Sequence, residues 1–264
     1  MPNDKSPFAT AVLARMSRRD MFGLAAKGAA SVIVSQSVLA CAGGVTSADA
    51  ASVVADTTGA SASTSCVLTA ALTEGPYFVD EKLARSDIRA DPATGAISAG
   101  VPLTLRFNVS RVAGSACTPL TGAYLDVWHC DAAGLYSDES ANGTSGRRYL
   151  RGYQITDANG AADFTTIYPG WYSGRAVHIH FKLRLYTGTT QSYAFTSQFF
   201  FDETLTTAVH VNSPYNSRGT RNTLNSTDGI YNSLSTAAKA ALTLQTSATT
   251  AGYAGVINLG VQVG

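Results

Sequence analysis

The chain is 264 residues long, 45% hydrophobic and only 14% charged, with a formal net charge of +1. Its first forty residues hold five of the 19 Lys and Arg and two of the 18 Asp and Glu, which leaves the remainder at 14 basic against 16 acidic. Nothing in that balance favours a surface for nucleic acid or for an anionic membrane face, and the length affords one domain with a sizeable core.

The beginning of the chain reads as an address. Ser17-Arg18-Arg19-Asp20-Met21-Phe22 puts paired arginines and an aromatic before an apolar run from Gly23 to Ala40, a pattern similar to a twin-arginine export signal. Lys27 and Gln36 interrupt that run, which is too short and polar for a transmembrane helix of about 20 apolar residues. Val38-Leu39-Ala40-Cys41 resembles a lipoprotein processing site, at which the Cys41 thiol would carry a lipid anchor; ordinary signal-peptidase cleavage nearby is the alternative. Residues 1–40 are therefore set apart as the export signal. Residues 41–64, full of Ala, Ser, Thr and Gly, read as a flexible tether, because they bury too little apolar surface to offset chain ordering. Residues 65–264 form the expected domain, exported to the periplasm or cell surface, where disulfides persist. A straight strand over 122–130, at about 3.3 Å per residue, would hold Cys117 and Cys130 well beyond the roughly 7 Å Cα limit for a bridge. Any bridge then involves Cys66, with its partner left open.

From residue 65 onward, apolar and polar residues alternate in short runs separated by turn chemistry, the pattern of half-buried antiparallel strands. Leu103, Leu105, Phe107 and Val109 alternate within a strand predicted over 102–109. A second covers 123–129, with Leu125, Val127 and His129 opposite Tyr124, Asp126 and Trp128, so His129 is expected to be a buried, hydrogen-bonded structural histidine. Asp157-Ala158-Asn159-Gly160 marks a turn leading into Phe164, Thr166 and Tyr168, before a break at Pro169-Gly170. Residues 176–185 and 194–201 are two further strands, and Phe199-Phe200-Phe201 reads as core. Residues 203–233, rich in Asn, Ser and Gly, are expected to form a long irregular loop carrying His210. Only 234–244 reads as helix. Several short strands with Gly-rich connections predict an all-β fold, an antiparallel β-sandwich with long irregular loops and little helix.

The run Arg175-Ala176-Val177-His178-Ile179-His180-Phe181 is the most informative. On a strand, residues i and i+2 share a face, so His178 and His180 project together while Val177, Ile179 and Phe181 enter the core. Two imidazoles on one face make a metal-ligand pair; alone, such a pair is as readily a solvated polar face. Tyr136 follows the turn at 131–134, and Tyr172 closes Tyr168-Pro169-Gly170-Trp171; each alone would be a packed ring with a hydrogen-bonded hydroxyl. Phenolate oxygens are hard ligands that stabilise Fe(III) over Fe(II), and two phenolates with one hydroxide balance its charge. A site for Fe(II) would be expected to show two His and one carboxylate, and Glu74, Asp126 and Asp131 lack the spacing for that triad.

Together these residues resemble the intradiol ring-cleavage dioxygenases, the family of catechol and protocatechuate dioxygenases. The resemblance runs over about half the chain, from Thr73-Glu74-Gly75-Pro76-Tyr77 to Thr196-Ser197-Gln198-Phe199-Phe200-Phe201-Asp202. It implies an Fe(III) centre held by Tyr136, Tyr172, His178 and His180, with Arg175 and Gln198 as the active-site arginine and glutamine. It implies a catechol-type substrate opened between its hydroxyls by O₂ to a muconate-type diacid. In that chemistry Tyr172 leaves the metal as substrate binds and accepts a proton, and Arg175 and Gln198 stabilise charge developing on the ring. Gly75 and Pro76, beside Tyr77, are expected at the substrate cavity. Only five residues separate Tyr172 from His178, fewer than in the well-known members, and the helical dimerisation segment of the catechol enzymes is missing. The short Trp171-Tyr172-Ser173-Gly174-Arg175 link is similar to that of the exported, single-domain members, and the two departures leave the particular catechol and the oligomeric state open. A more local likeness, Pro119-Leu120-Thr121-Gly122-Ala123 with the later Pro-Gly-x-Tyr, is to transthyretin-like β-sandwich binding modules. That non-enzymatic alternative accounts for the scaffold and leaves the His pair, Arg175 and Gln198 without a role.

Overall fold

The structure is a computed structural model that describes residues 67–263. The expected export signal, the lipid-anchor cysteine and the tether lie outside the described residues. Among the described residues nine strands build two sheets: β1 (Pro102–Ala113), β2 (Ala116–Pro119), β3 (Tyr124–Trp128), β4 (Arg151–Ile155), β5 (Ala161–Ile167), β6 (His178–Thr187), β7 (Thr190–Phe200), β8 (Gln245–Ala248) and β9 (Tyr253–Val261). Three short helices follow β7: α1 (Glu203–His210), α2 (Gly229–Asn232) and α3 (Thr236–Leu242).

In the first sheet β1 is the hub. β5 and then β2 pair antiparallel along one of its edges, β9 runs parallel along the other, and β8 lies beyond β9. The parallel β1–β9 pair departs from the antiparallel expectation; β9 reaches β1 after the whole second sheet and the helices, and so is free of the hairpin constraint that makes neighbours antiparallel. The second sheet runs β4-β3-β6-β7, antiparallel throughout.

Alternation along β1 turns Leu103, Leu105, Phe107 and Val109 inward, and all four are buried. Leu125 and Val127 of β3, Ile179, Phe181 and Leu183 of β6, and Phe199 of β7 meet them. Phe107 contacts Phe164 of its own sheet and Phe181 and Phe199 of the other, at centroid distances of 5.8, 5.9 and 6.0 Å. Each such ring contributes about 1.5–3 kcal/mol by leaving water. Cys130 is a buried free thiol and Cys117 is disulfide-bonded, so the two do not pair with each other; the partner of Cys117 lies outside the described residues.

The stretch 203–233 is more ordered than expected. Asp202 caps α1 by accepting from the Leu205 amide, Tyr215–Arg218 form a 3₁₀ turn, and Asp228 caps α2. Helices of four to eight residues are too short to display an apolar period, so their caps are the only local sign of them. His210 is accordingly not a loop residue: it ends α1, buried, donating from Nε2 to the Pro169 carbonyl at 3.0 Å. His129 matches its expectation. Its Nδ1–H donates to the Cys130 carbonyl at 2.8 Å, and Nε2 accepts from the Thr166 hydroxyl of β5 at 2.6 Å, tying the two sheets together.

Burial lowers both histidines from 6.5 to about 4. Both are neutral in the folded chain at a pH where the unfolded chain would protonate them. Their contribution is therefore fully present above about pH 6.5 and is lost as pH falls toward 4, by up to about 1.4 kcal/mol per pH unit for each. Thermal melts between about pH 7 and 4.5 should show a falling Tm; a flat profile would contradict this assignment.

Candidate metal centre

The face of the second sheet turned away from the core carries the predicted residues. Trp128, His180 and Gln198 are register partners across β3, β6 and β7, and His178 is the partner of Phe200. An outer sheet face is ordinarily solvated, yet His178, His180 and Gln198 are all at most 2% exposed. They are covered by residues 73–78 and by the two loops that carry the tyrosines. Farther along the same face, Lys182 pairs with Glu74 at 2.6 Å and Arg184 with Asp80 at 3.0 Å, so ion pairs hold the covering segment where it leaves the cluster. Gly75 belongs to that cover: at φ +71 it lies so close to His180 that an added Cβ would come within 3.3 Å of the ring.

The Tyr136 loop is a tight turn in which Asp131 Oδ1 accepts from the amides of Ala133 and Leu135, both at 2.9 Å. Gly134 sits there at φ +80, and a Cβ on it would overlap the Trp171 carbonyl. A Cβ on Gly170 would overlap the Asp131 and Ala132 carbonyls. Each glycine stands two residues before its own tyrosine and is seated against the loop of the other. This gives the Gly-x-Tyr spacing a physical cause: the loops dock backbone to backbone, which brings the Tyr136 and Tyr172 rings edge to face at 5.6 Å. Arg151, buried at the start of β4, donates to Ser137 Oγ at 2.9 Å, to the Ser137 carbonyl at 2.6 Å and to the Tyr77 carbonyl. Tyr77 stacks on Tyr136 at 4.4 Å.

Four donor groups converge in this space. The Tyr172 hydroxyl donates to His178 Nε2 at 3.1 Å, and His178 Nε2 lies 3.0 Å from His180 Nε2. His178 Nδ1–H donates to the Ala176 carbonyl at 2.6 Å, which leaves Nε2 unprotonated, with its lone pair turned into the cluster. The Tyr136 hydroxyl and His180 Nδ1 are buried without a hydrogen-bond partner among the described residues. Burial holds His178 down to about 3 and His180 well below the ordinary range, and it raises Tyr172 to about 12 and Tyr136 well above 10. Neutral donors with more lone pairs than protons are what a bound cation satisfies, and the positive charge would in turn favour the phenolates. Among the described residues no three His, Cys, Asp or Glu side chains cluster.

Arg175 lies at the rim, where the cluster meets solvent past half-buried Tyr172. Its Nη2 donates to Gln198 Oε1 at 2.6 Å, and Gln198 Nε2 donates to the Thr73 carbonyl at 2.7 Å, which fixes the amide's orientation. Two buried polar residues of this region escape a sequence reading. Arg151 stands at a strand start with no motif around it, and Asp228, which accepts from Arg175 Nε at 2.9 Å, lies in the polar stretch expected to be a loop. Its only local signal is a helix cap ahead of Gly229-Ile230-Tyr231.

Fold and site define a β-sandwich whose buried tyrosine and histidine cluster is a candidate metal centre. The sequence profile of a family described as Dioxygenase matches residues 73–213, and the chain belongs to the intradiol ring-cleavage dioxygenases. An intradiol ring-cleavage dioxygenase from Tetranychus urticae is similar in structure, with 28% identity, a TM-score of 0.63, and coverage of 75% of this chain and 95% of that one. The dioxygenase domain of a dioxygenase and carbohydrate-binding protein fusion from Streptomyces sp. SirexAA-E is similar at 26% identity, with a TM-score of 0.52 and coverage of 75% and 100%. Catechol 1,2-dioxygenase 1 of Acinetobacter lwoffii is 27% identical over an alignment 131 residues long that covers 41% of this chain. The match spans 39% of the length of that relative.

Proposed function

We propose that this chain is an Fe(III)-dependent intradiol dioxygenase that opens a catechol-type ring between its hydroxyls and takes both atoms of O₂ into a muconate-type diacid. The observation that carries this reading is the convergence of two phenols and two imidazoles in one buried cluster, with a guanidinium and an amide at its rim. Fe(III), held by Tyr136, Tyr172, His178 and His180, would supply the Lewis acid that draws charge out of the catechol so that a ring carbon reacts with O₂. The remaining work falls to side chains. Tyr172 is half-buried and stands at the open side, so it is the donor free to swing away; its oxygen takes a proton from the incoming catechol hydroxyl. Tyr136 is buried beneath Tyr77 in a loop braced by Arg151, and it stays. Arg175 presents a fixed positive charge to the negative charge that builds on the substrate, and Gln198, locked by Thr73, keeps the guanidinium facing that region. Tyr77, Phe78 and Trp128 wall the cluster from water, which strengthens these interactions.

Residues 1–40 are part of the same proposal as a twin-arginine export signal, with Cys41 as a lipid-anchor site. The disulfide at Cys117 supports an oxidising compartment. The test is colour and stoichiometry: iron-loaded protein should absorb visible light by tyrosinate-to-iron charge transfer and consume one O₂ per catechol opened. An iron-replete but colourless protein, or a product cleaved outside the two hydroxyls, would overturn the reading.

A further inference from the structure

We propose that Asp228 is a positioning residue for ring cleavage, a buried carboxylate that aims the Arg175 guanidinium at the substrate; this rests on the intradiol reading above. Asp228 is 0% exposed, although Ser226, Thr227 and Gly229 around it are exposed. It accepts four hydrogen bonds. Oδ1 takes the amides of Ile230 and Tyr231 at 2.7 and 3.0 Å, while Oδ2 takes Arg175 Nε at 2.9 Å and the Ala176 amide at 2.7 Å.

Capping alone does not account for this residue. A helix cap needs one side-chain oxygen, and Ser, Thr or Asn supply it as well as Asp does. α2 is a single turn of four residues, and burying a full negative charge to cap one turn is costly unless the charge is paired. The second oxygen is committed wholly to Arg175 and the residue after it. Arg175 needs such an anchor. It precedes β6, its neighbours Ser173 and Gly174 are exposed, and Gly174 stands at φ +88, so the local backbone does little to hold a long side chain in one direction. With Nε tied to Asp228 and Nη2 to Gln198, the fork is held at two points, and Nη1 has no hydrogen-bond partner among the described residues. That leaves one N–H edge for the substrate. The clamp joins elements far apart in sequence, since Asp228 follows Arg175 by 53 positions.

Asp228→Asn separates the two roles. The asparagine Oδ1 still caps α2, but the amide group now presents N–H to Arg175 Nε–H and to the Ala176 N–H, donor against donor. Iron content, the visible band and the circular dichroism of the iron-loaded enzyme should be unchanged. Displacing a catalytic group by about 1 Å costs on the order of 10²-fold, so kcat and kcat/KM for catechol should fall together by about tenfold to a hundredfold with KM nearly constant. In the Arg175→Leu background the same substitution should cost nothing further, because its effect passes through the guanidinium. Should Asp228→Asn alone fail to fold, the Arg175→Leu/Asp228→Asn pair removes the stranded cation and carries the test by comparison with Arg175→Leu.

Wild-type turnover in Asp228→Asn, loss of iron with the fold retained, or losses that multiply in the double variant would each overturn the proposal. Failure of the intradiol reading is distinguishable, because it appears in the wild-type protein, before any substitution, as an absence of ring cleavage.

Discussion

Replacing Arg175 by Leu is expected to leave a folded, coloured, iron-replete protein whose ring cleavage is lower by about 10²–10³. The cluster geometry explains the split. Arg175 hydrogen-bonds Gln198 and Asp228 but none of the four donor groups, so its loss removes none of the proposed ligands. Asp228 keeps three backbone amides, those of Ala176, Ile230 and Tyr231, so the carboxylate left behind remains hydrogen-bonded. What disappears is a pre-placed positive charge at the mouth of a buried site, where such a charge needs no reorganisation as the barrier is crossed. Arg175→Lys should fall between the two, because an ammonium keeps the charge but cannot reach Asp228 and Gln198 as a planar fork does. O₂ uptake and muconate formation report turnover, and metal analysis with the visible spectrum reports the centre. Iron lost in Arg175→Leu would make the residue structural, and normal turnover would remove it from the mechanism.

Local periodicity reveals the parts of this molecule that depend on neighbours along the chain. The alternation of Leu103 to Val109 and of Leu125 and Val127 marks core-facing strands, and the i, i+2 spacing places His178 and His180 on one face. Periodicity does not show what covers that face. His178 and His180 become a buried pair only because residues 73–78 and two loops close over them, and the contacts from 73–78 and from the Tyr136 loop come from far away in the sequence. The same limit hides the clamp on Arg175 and the brace from Arg151: a buried charged residue leaves no pattern, since any polar residue elsewhere can be its partner. The parallel run of β9 beside β1 is invisible for the same reason. The short helices in 203–233 are a different case, because their capping residues Asp202 and Asp228 are local signals that the polar composition around them masks.

Gly134→Ala should cost the protein its proposed metal centre while sparing the sandwich. Gly134 lies at φ +80, where an L-residue is disfavoured by about 1–2 kcal/mol. Its added methyl would be driven into the Trp171 carbonyl, a backbone atom that no side-chain rotamer can move aside. Forcing an extra methyl group into a packed contact costs a further 1–3 kcal/mol or so. Relief requires the two loops to part, and those loops carry Tyr136 and Tyr172, whose rings stand 5.6 Å apart only because the loops dock. Tyr136 is the more exposed to this strain, since Gly134 is two residues before it and Arg151 anchors Ser137 just after it. The core contacts of Phe107, Phe181 and Phe199 lie between the sheets, so the far-ultraviolet circular dichroism should persist with a lower Tm. Iron retained per chain and the visible band should both drop several-fold, and turnover with them. Full iron occupancy and an unshifted band in Gly134→Ala would show that the tyrosine spacing is set elsewhere, and that the glycine two residues before each tyrosine serves only its own turn.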